Sequence, residues 1–203
     1  MRFRDREHAG RELVGLLGAY AGRGDVVVLG VARGGVAVAV EVARGLGVGM
    51  APFLVRKLGV PGREELAMGA IANGVVVLNE EIAGRVNQAD LDRVIRAETE
   101  ELERRRVAYG AKPVDVTGRT VILVDDGLAT GASARAAVEA LRKQNPARIV
   151  LAVPTAPRET VEEFQALVDE VVCAYTPESF AAVGQAYRDF AQVSDREVRR
   201  LLR

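Results

Sequence analysis

The chain has 203 residues, enough for one domain with a proper core, and its 28 basic and 28 acidic residues cancel to a formal net charge of zero. That balance removes the cationic face expected of a nucleic-acid or membrane-surface binder, and the absence of Trp argues against a stacking platform for single strands. A lone cysteine, Cys173, and a lone histidine, His8, exclude a disulfide framework, a cysteine zinc site and a multi-histidine metal site within one chain.

Residues 5–22 read as an amphipathic helix, with Leu13, Leu16, Leu17 and Tyr20 at helical spacings and Asp5 placed to cap it. The β-branched run 25–31, bounded by glycines, predicts a strand buried on both faces. Residues 34–47 alternate Val and Ala, which is a strand period. A parallel strand needs a crossover before the next one, however, so a helix is expected there. Residues 52–56 are a second strand candidate, 57–74 a long polar, glycine-containing stretch, and 75–78 a third apolar run. Residues 87–109 predict a helix capped by Asn87, with Leu91, Val94, Ile95 and Leu102 on one side. Its Glu100–Arg104 and Glu101–Arg105 pairs read as a solvated face and not as a site.

A strand at 120–124, a turn at 125–133, a helix to Lys143, a strand at 149–153, a helix at 158–167 and a strand at 171–174 follow. Strand and helix alternate throughout, which predicts an α/β fold with a mainly parallel twisted sheet flanked by helices. The expected organisation is a single domain, 1–203, with its core at about 23–175 and a separate amphipathic tail at about 176–203. No signal-type segment and no run of about 18 apolar residues is present, so a cytoplasmic protein without a membrane partner is expected.

Open parallel sheets bind ligands at the carboxyl ends of their strands. The informative end is Val-Ile-Leu-Val-Asp-Asp-Gly-Leu-Ala-Thr-Gly-Ala-Ser, residues 121–133. Two carboxylates, Asp125 and Asp126, tip the strand, and a turn of small residues then opens a helix. Free N–H groups at a helix start make an anion cradle, here Ala129, Thr130, Gly131, Ala132 and Ser133, with hydroxyls from Thr130 and Ser133. Acids beside an anion cradle suit a ligand carrying both a phosphate and a diol, such as a ribose 5'-phosphate. Walker A fails because Ala132, not Lys, follows Gly131, and no Gly-x-Gly-x-x-Gly follows a strand.

At these residues the chain resembles the type I phosphoribosyltransferases, whose signature is an apolar strand, two acidic residues, a variable pair and Thr-Gly-x-Ser/Thr. The resemblance extends to Gly-Val-Ala-Arg-Gly-Gly, residues 30–35, which looks like the family's pyrophosphate loop, often built on a cis non-proline peptide. It implies pyrophosphate contacts from Ala32, Arg33, Gly34 and Gly35, and from Arg56 and Lys57 in Phe-Leu-Val-Arg-Lys-Leu-Gly-Val-Pro-Gly, residues 53–62. By residue type alone, Arg-Gly-Gly also fits a plain loop and Lys57 a surface charge. With the tail motif Ala-Val-Gly-Gln-Ala-Tyr-Arg-Asp-Phe, 182–190, the resemblance covers most of the chain and points to a group of unassigned substrate. Ala32 departs from that group, which usually has Pro there.

The resemblance implies that 5-phosphoribosyl-1-pyrophosphate (PRPP) gives its phosphoribosyl group to a small nitrogenous base, with Mg2+ carried on the pyrophosphate and no nucleic acid involved. A homodimer is also implied, as are a mobile loop at about 57–74 that closes over the substrate and a small hood from the tail, about 176–203, formed with or without the first helix. Asp125 and Asp126 would take the ribose hydroxyls and residues 129–133 the 5'-phosphate. Ala129 stands where 6-oxopurine members carry an acidic base, which argues against that chemistry and leaves Glu64 and Glu65 as base candidates. Phe180 and Tyr187 are candidates for stacking on the base or for packing the core. A sensor that binds PRPP without turnover is the alternative.

Overall fold

The computed structural model describes residues 2–72, 74–112 and 114–203, and only the backbone of Glu65. In chain order the elements are α1 (Arg6–Leu16), a 3-10 turn (Gly18–Tyr20), β1 (Val26–Val31), α2 (Gly34–Leu46), β2 (Gly49–Phe53), β3 (Val55–Val60), β4 (Arg63–Ala72) and β5 (Val75–Leu78). Then come α3 (Glu80–Ala83), α4 (Gln88–Tyr109), β6 (Thr120–Val124), α5 (Ala132–Arg142), β7 (Arg148–Thr155), α6 (Arg158–Gln165), β8 (Glu170–Tyr175), a 3-10 turn (Val183–Ala186) and α7 (Asp195–Leu201). The expected α/β fold is present. A five-stranded sheet, in the order β2-β1-β6-β7-β8, is parallel at every pairing.

Alternation of side chains along these strands divides the core into two layers. Val27, Leu29, Val121, Leu123, Ile149 and Leu151 face α5 and α6, where Ala137, Leu141 and Phe164 meet them. Val26, Val28, Ile122, Val124 and Val150 face the opposite way, onto Leu13 of α1, Leu17 just after it, and Val38 and Val42 of α2. Both faces are covered, which is why the strands read as unbroken apolar runs. The Val-Ala segment is the helix expected from topology. Val36, Val38, Ala39 and Val42 are all at 0 % exposure, so α2 has no polar stripe to betray its period.

Two expectations fail between residues 52 and 74. The single strand predicted at 52–56 is split at Leu54: β2 ends at Phe53 in the parallel sheet, and β3 starts a separate antiparallel sheet, β3-β4-β5. The stretch 57–74, expected as a mobile loop, is mostly the β3–β4 hairpin. Its signal was present in Met68, Ala70 and Ala72, which alternate and are all buried. The glycines hid it. A Cβ on Gly69 would run into the Val77 carbonyl oxygen of the neighbouring strand, so this glycine permits close strand approach and does not mark a loop. The hairpin packs on α4 and α5, burying Leu58, Met68 and Ile71.

The first helix ends at Leu16, short of the expected 5–22, and a 3-10 turn carries Tyr20 inward after Gly18. Part of the C-terminal tail packs against the N-terminus. Phe3, Tyr187 and Phe190 cluster there, and the Arg188 and Asp189 N–H groups donate to the Phe3 and Arg4 carbonyls at 2.9 Å. Among the described residues no helix is long and apolar enough to cross a membrane.

Candidate active site

The strand order reverses between β1 and β6, since the chain leaves β1 for β2 on one side while β6 to β8 build outward on the other. A crevice at the carboxyl ends of β1 and β6 is therefore the place for a ligand. Two loops emerge there level with each other, because Gly30 pairs with Val124 in register. One is 32–35, whose Ala32–Arg33 peptide is cis, and the other is 125–131. The loops touch. A Cβ on Gly34 would land on Asp126 Oδ2, and one on Gly35 would lie 2.6 Å from the Val124 carbonyl oxygen and 2.9 Å from Asp125 Cα. Both positions must be glycine for the two loops to share the crevice at this separation.

Asp125 and Asp126 sit half-buried at the tip of β6, and the Asp126 N–H donates to Asp125 Oδ1 at 2.9 Å. Burial raises the proton affinity of both carboxyls; the charge of Asp126 raises Asp125 further, while Arg6 opposes the rise at Asp126. Arg6 Nε donates to Asp126 Oδ2 at 2.8 Å, with the two side chains only 12 % and 17 % exposed. Removing one partner of such a shielded pair costs about 3–5 kcal/mol, because the other charge stays behind in a dry place. From the tail, the Tyr187 hydroxyl donates to the Asp126 carbonyl oxygen at 2.5 Å.

The expected phosphate cradle lies beside this pair. Gly131 adopts φ 70° and starts α5 with no side-chain cap, so the first N–H groups of the helix face outward with its positive end. Ala129, Thr130, Ala132 and Ser133 are exposed around it. Gly131 is required twice over, by its left-handed backbone and because a Cβ would stand 2.5 Å from Phe164 Cε2. Neutral bonds brace the turn: Thr160 Oγ1 donates to the Ala129 carbonyl at 3.1 Å, and the Leu128 N–H to the Thr155 carbonyl at 2.9 Å.

A cleft of about 710 Å3 joins the remaining predicted residues, with Ala32, Arg56, Lys57 and Ser133 in its walls. It also contains Arg93, Glu98 and Arg105 of α4, the helix read from sequence as a solvated face. That reading holds for one side only. Arg106 pairs with Glu103, and Arg104 with Glu101 and Asp195 in place of the expected Glu100, while the other side of α4 walls the cleft. Arg56 Nε is bonded to Glu98 Oε2 at 2.5 Å, and Arg33 Nη1 lies 3.9 Å from Asp195 Oδ1 in α7. Asp195 also accepts from the Tyr109 hydroxyl at 2.8 Å, which burial first and Asp195 second push up to about 12.

The two aromatic candidates part company. Tyr187 is 1 % exposed, stacked on Phe190 and tilted against Phe3, so it is a core residue with no ring face for a base. Phe180 is half-buried and lines a cavity of about 270 Å3 with Thr155, Tyr175 and Gln185 at the ends of β7 and β8. Glu64 accepts from the Gly62 N–H in the hairpin turn at 3.1 Å and borders the large cleft; the Glu65 side chain lies outside the described residues. Arg6, Glu98 and Asp195 were not found from sequence, because each acts on a residue far away in the chain.

The chain has relatives in sequence and in fold. The family model described as phosphoribosyl transferase domain matches residues 6–190. A Mycobacterium tuberculosis (strain CDC 1551 / Oshkosh) protein named "Putative phosphoribosyl transferase MT0597" is 47 % identical over 201 residues, covering 97 % of this chain and 45 % of that protein. The chain thus spans about half the length of the curated relatives it matches. The solved structure of TT1426 from Thermus thermophilus superposes with a TM-score of 0.87 at 44 % identity, covering 100 % of this chain and 98 % of that one. The purine phosphoribosyltransferase of Pyrococcus horikoshii Ot3 shares the fold at a TM-score of 0.52 and 16 % identity, over 95 % of this chain and 97 % of its own. With the match running from Arg6, whose guanidinium meets the acidic pair, to Phe190 beneath it, the chain belongs to the phosphoribosyl transferase domain family.

Proposed function

We propose that this chain transfers the 5-phosphoribosyl group of PRPP to a small nitrogenous base and releases pyrophosphate. The observation that carries the reading is the contact between the 32–35 loop and the acidic pair, beside an uncapped helix start. The amides of 129–133 hold the 5'-phosphate, and Asp125 and Asp126 take the ribose hydroxyls. Arg33 on its loop, with Arg56 and Lys57 in the wall of the large cleft, faces the pyrophosphate. Displacement at ribose C1 develops positive charge on the sugar, so these residues act by orienting the reactants and screening charge. Phe180 in its cavity is the stacking candidate that remains for the base.

Magnesium would be carried on PRPP itself, with pyrophosphate and water oxygens supplying most of its ligands, which leaves Asp125 and Asp126 to the ribose. When bound, the ion neutralises charge on the leaving group. A PRPP-binding sensor is the second reading. It is favoured by Ala129, which leaves the cradle without a base, and by Arg56 being bonded to a carboxylate while Arg33 lies near another.

The test is calorimetry with PRPP and Mg2+, followed by pyrophosphate release across a panel of purine and pyrimidine bases. The transferase reading expects release with at least one base and a loss of about tenfold or more in Asp126→Asn, whose neutral amide makes weaker bonds to a diol. Binding without release for any base selects the sensor. No binding at all refutes both.

A further inference from the structure

Two carboxylates in sequence, both shielded from water, form a poor receptor for a polyanion unless a cation shares the site. The structure supplies one from the opposite end of the chain. Arg6 sits in the first turn of α1, and its contact with Asp126 spans 120 residues of sequence. It is fixed on three sides. Nε donates to Asp126 Oδ2 at 2.8 Å, Nη1 donates to the Ala191 carbonyl at 2.8 Å, and the guanidinium lies 3.9 Å from the centre of the Phe190 ring.

These contacts close into a loop. Phe190 stacks on Tyr187 with ring centres 4.8 Å apart, and the Tyr187 hydroxyl returns to the Asp126 carbonyl at 2.5 Å. Asp126 is therefore gripped at its carboxylate by Arg6 and at its backbone by Tyr187, with Gly34 pressed against Oδ2. Oδ2 is the carboxylate oxygen that carries the ion pair with Arg6. The titratable groups facing this carboxylate are Asp125 beside it, Arg6 on α1 and Tyr187 on the tail.

We propose that Arg6 is a positioning residue of the phosphoribosyl site: it holds Asp126 in one orientation and supplies the countercharge that lets the acidic pair meet a polyanion. The inference rests on the PRPP reading of the same site and adds to it a residue that acts through Asp126. A purely structural Arg6 would do something else, pinning the tail through Ala191 and Phe190, and the two roles separate by experiment.

PRPP binding with Mg2+ is measured by calorimetry for the wild type, Arg6→Gln, Arg6→Lys, Asp126→Asn and the double variant Arg6→Gln/Asp126→Asn. Arg6→Gln is expected to weaken binding by about tenfold or more, as a charge-assisted contact is lost. Arg6→Lys keeps the charge beside Asp126 but loses the fork and the stack, and is expected to lose clearly less than Arg6→Gln, about threefold to fivefold against the wild type. In the Asp126→Asn background, Arg6→Gln should cost less than about twofold, because the partner it acts on is gone.

Equal losses for Lys and Gln, or the same loss from Arg6→Gln in both backgrounds, would overturn the proposal in favour of a tail clamp. If Arg6→Gln does not fold, Arg6→Lys still decides: a loss of no more than about fivefold supports the countercharge, and one of about tenfold refutes it. A wild type that does not bind PRPP sinks the phosphoribosyl reading itself and this inference with it, whereas a wild type that binds with Arg6→Gln unchanged sinks this inference alone.

Discussion

At residues 127–133 the site offers neutral donors: backbone N–H groups at an uncapped helix start, two hydroxyls, and bracing bonds from Thr155 and Thr160. Across the crevice the plan is different. Arg6 is held by Asp126, Arg33 lies against Asp195, and Arg56 is bonded to Glu98. On the proposed reading the cradle takes an anion as it stands, because helix dipoles need no rearrangement. The rim must exchange protein carboxylates for ligand oxygens, and its charges are compensated beforehand. On the proposed reading, a chain of zero net charge presents arginines to a polyanion from within existing ion pairs.

The sharpest way to break this contrast is at the contact between the two halves. A methyl at Gly34 falls on Asp126 Oδ2, which Arg6 and Tyr187 prevent from moving aside. Gly34→Ala must therefore push Asp126 out of its ion pair. We expect a stability loss of roughly 3 kcal/mol and loss of PRPP binding by at least about 100-fold, measured by denaturant unfolding and calorimetry. Near-wild-type behaviour would mean that the loops are not mutually fixed.

What could be read from the sequence follows the same division. The cradle is contiguous, and its strand, acids, turn and helix start appear in order within 121–133, so local chemistry was enough to find it. The parallel sheet was legible because buried strands and crossover helices alternate. The rim was not legible, since Arg6 and Asp126 are 120 residues apart and Arg56 and Glu98 are 42 apart. Nothing local distinguishes Glu98 from the other charges on α4. The β3–β4 hairpin was mistaken for a loop because glycines needed for close strand approach look the same as glycines that break a strand.

A second prediction concerns the cost of keeping the acidic pair. The proton affinity of Asp125 is raised well above its ordinary value by burial and then by Asp126, so the folded state binds a proton more tightly than the unfolded chain. The sign follows: ionising Asp125 opposes folding. Stability from this residue is greatest below the ordinary carboxylate range and falls as pH rises from there toward the raised value. Asp125→Asn, whose amide oxygen can still accept the Asp126 N–H, should melt higher than the wild type at pH 7, by about 2–5 °C. The gap should close as pH is lowered toward the carboxylate range, while PRPP affinity drops. Thermal unfolding across pH checks it; a variant less stable at pH 7 would show that the acid is compensated more fully than its contacts suggest.

The smallest effect is the most informative about the rim. Arg56 and Glu98 are 33 % and 23 % exposed, so their pair contributes little to folding, about 0–1 kcal/mol. Both line the large cleft, and Glu98 competes there with any ligand phosphate for the same guanidinium. If the rim works by exchange, Glu98→Gln should bind PRPP about two- to fivefold more tightly, with an unchanged melting temperature, since less charge pairing must be given up when the ligand enters. Weaker binding would reverse the interpretation. Glu98 would then hold Arg56 in its binding orientation, as Arg6 is argued to hold Asp126, and the rim would be preorganised in the same sense as the cradle.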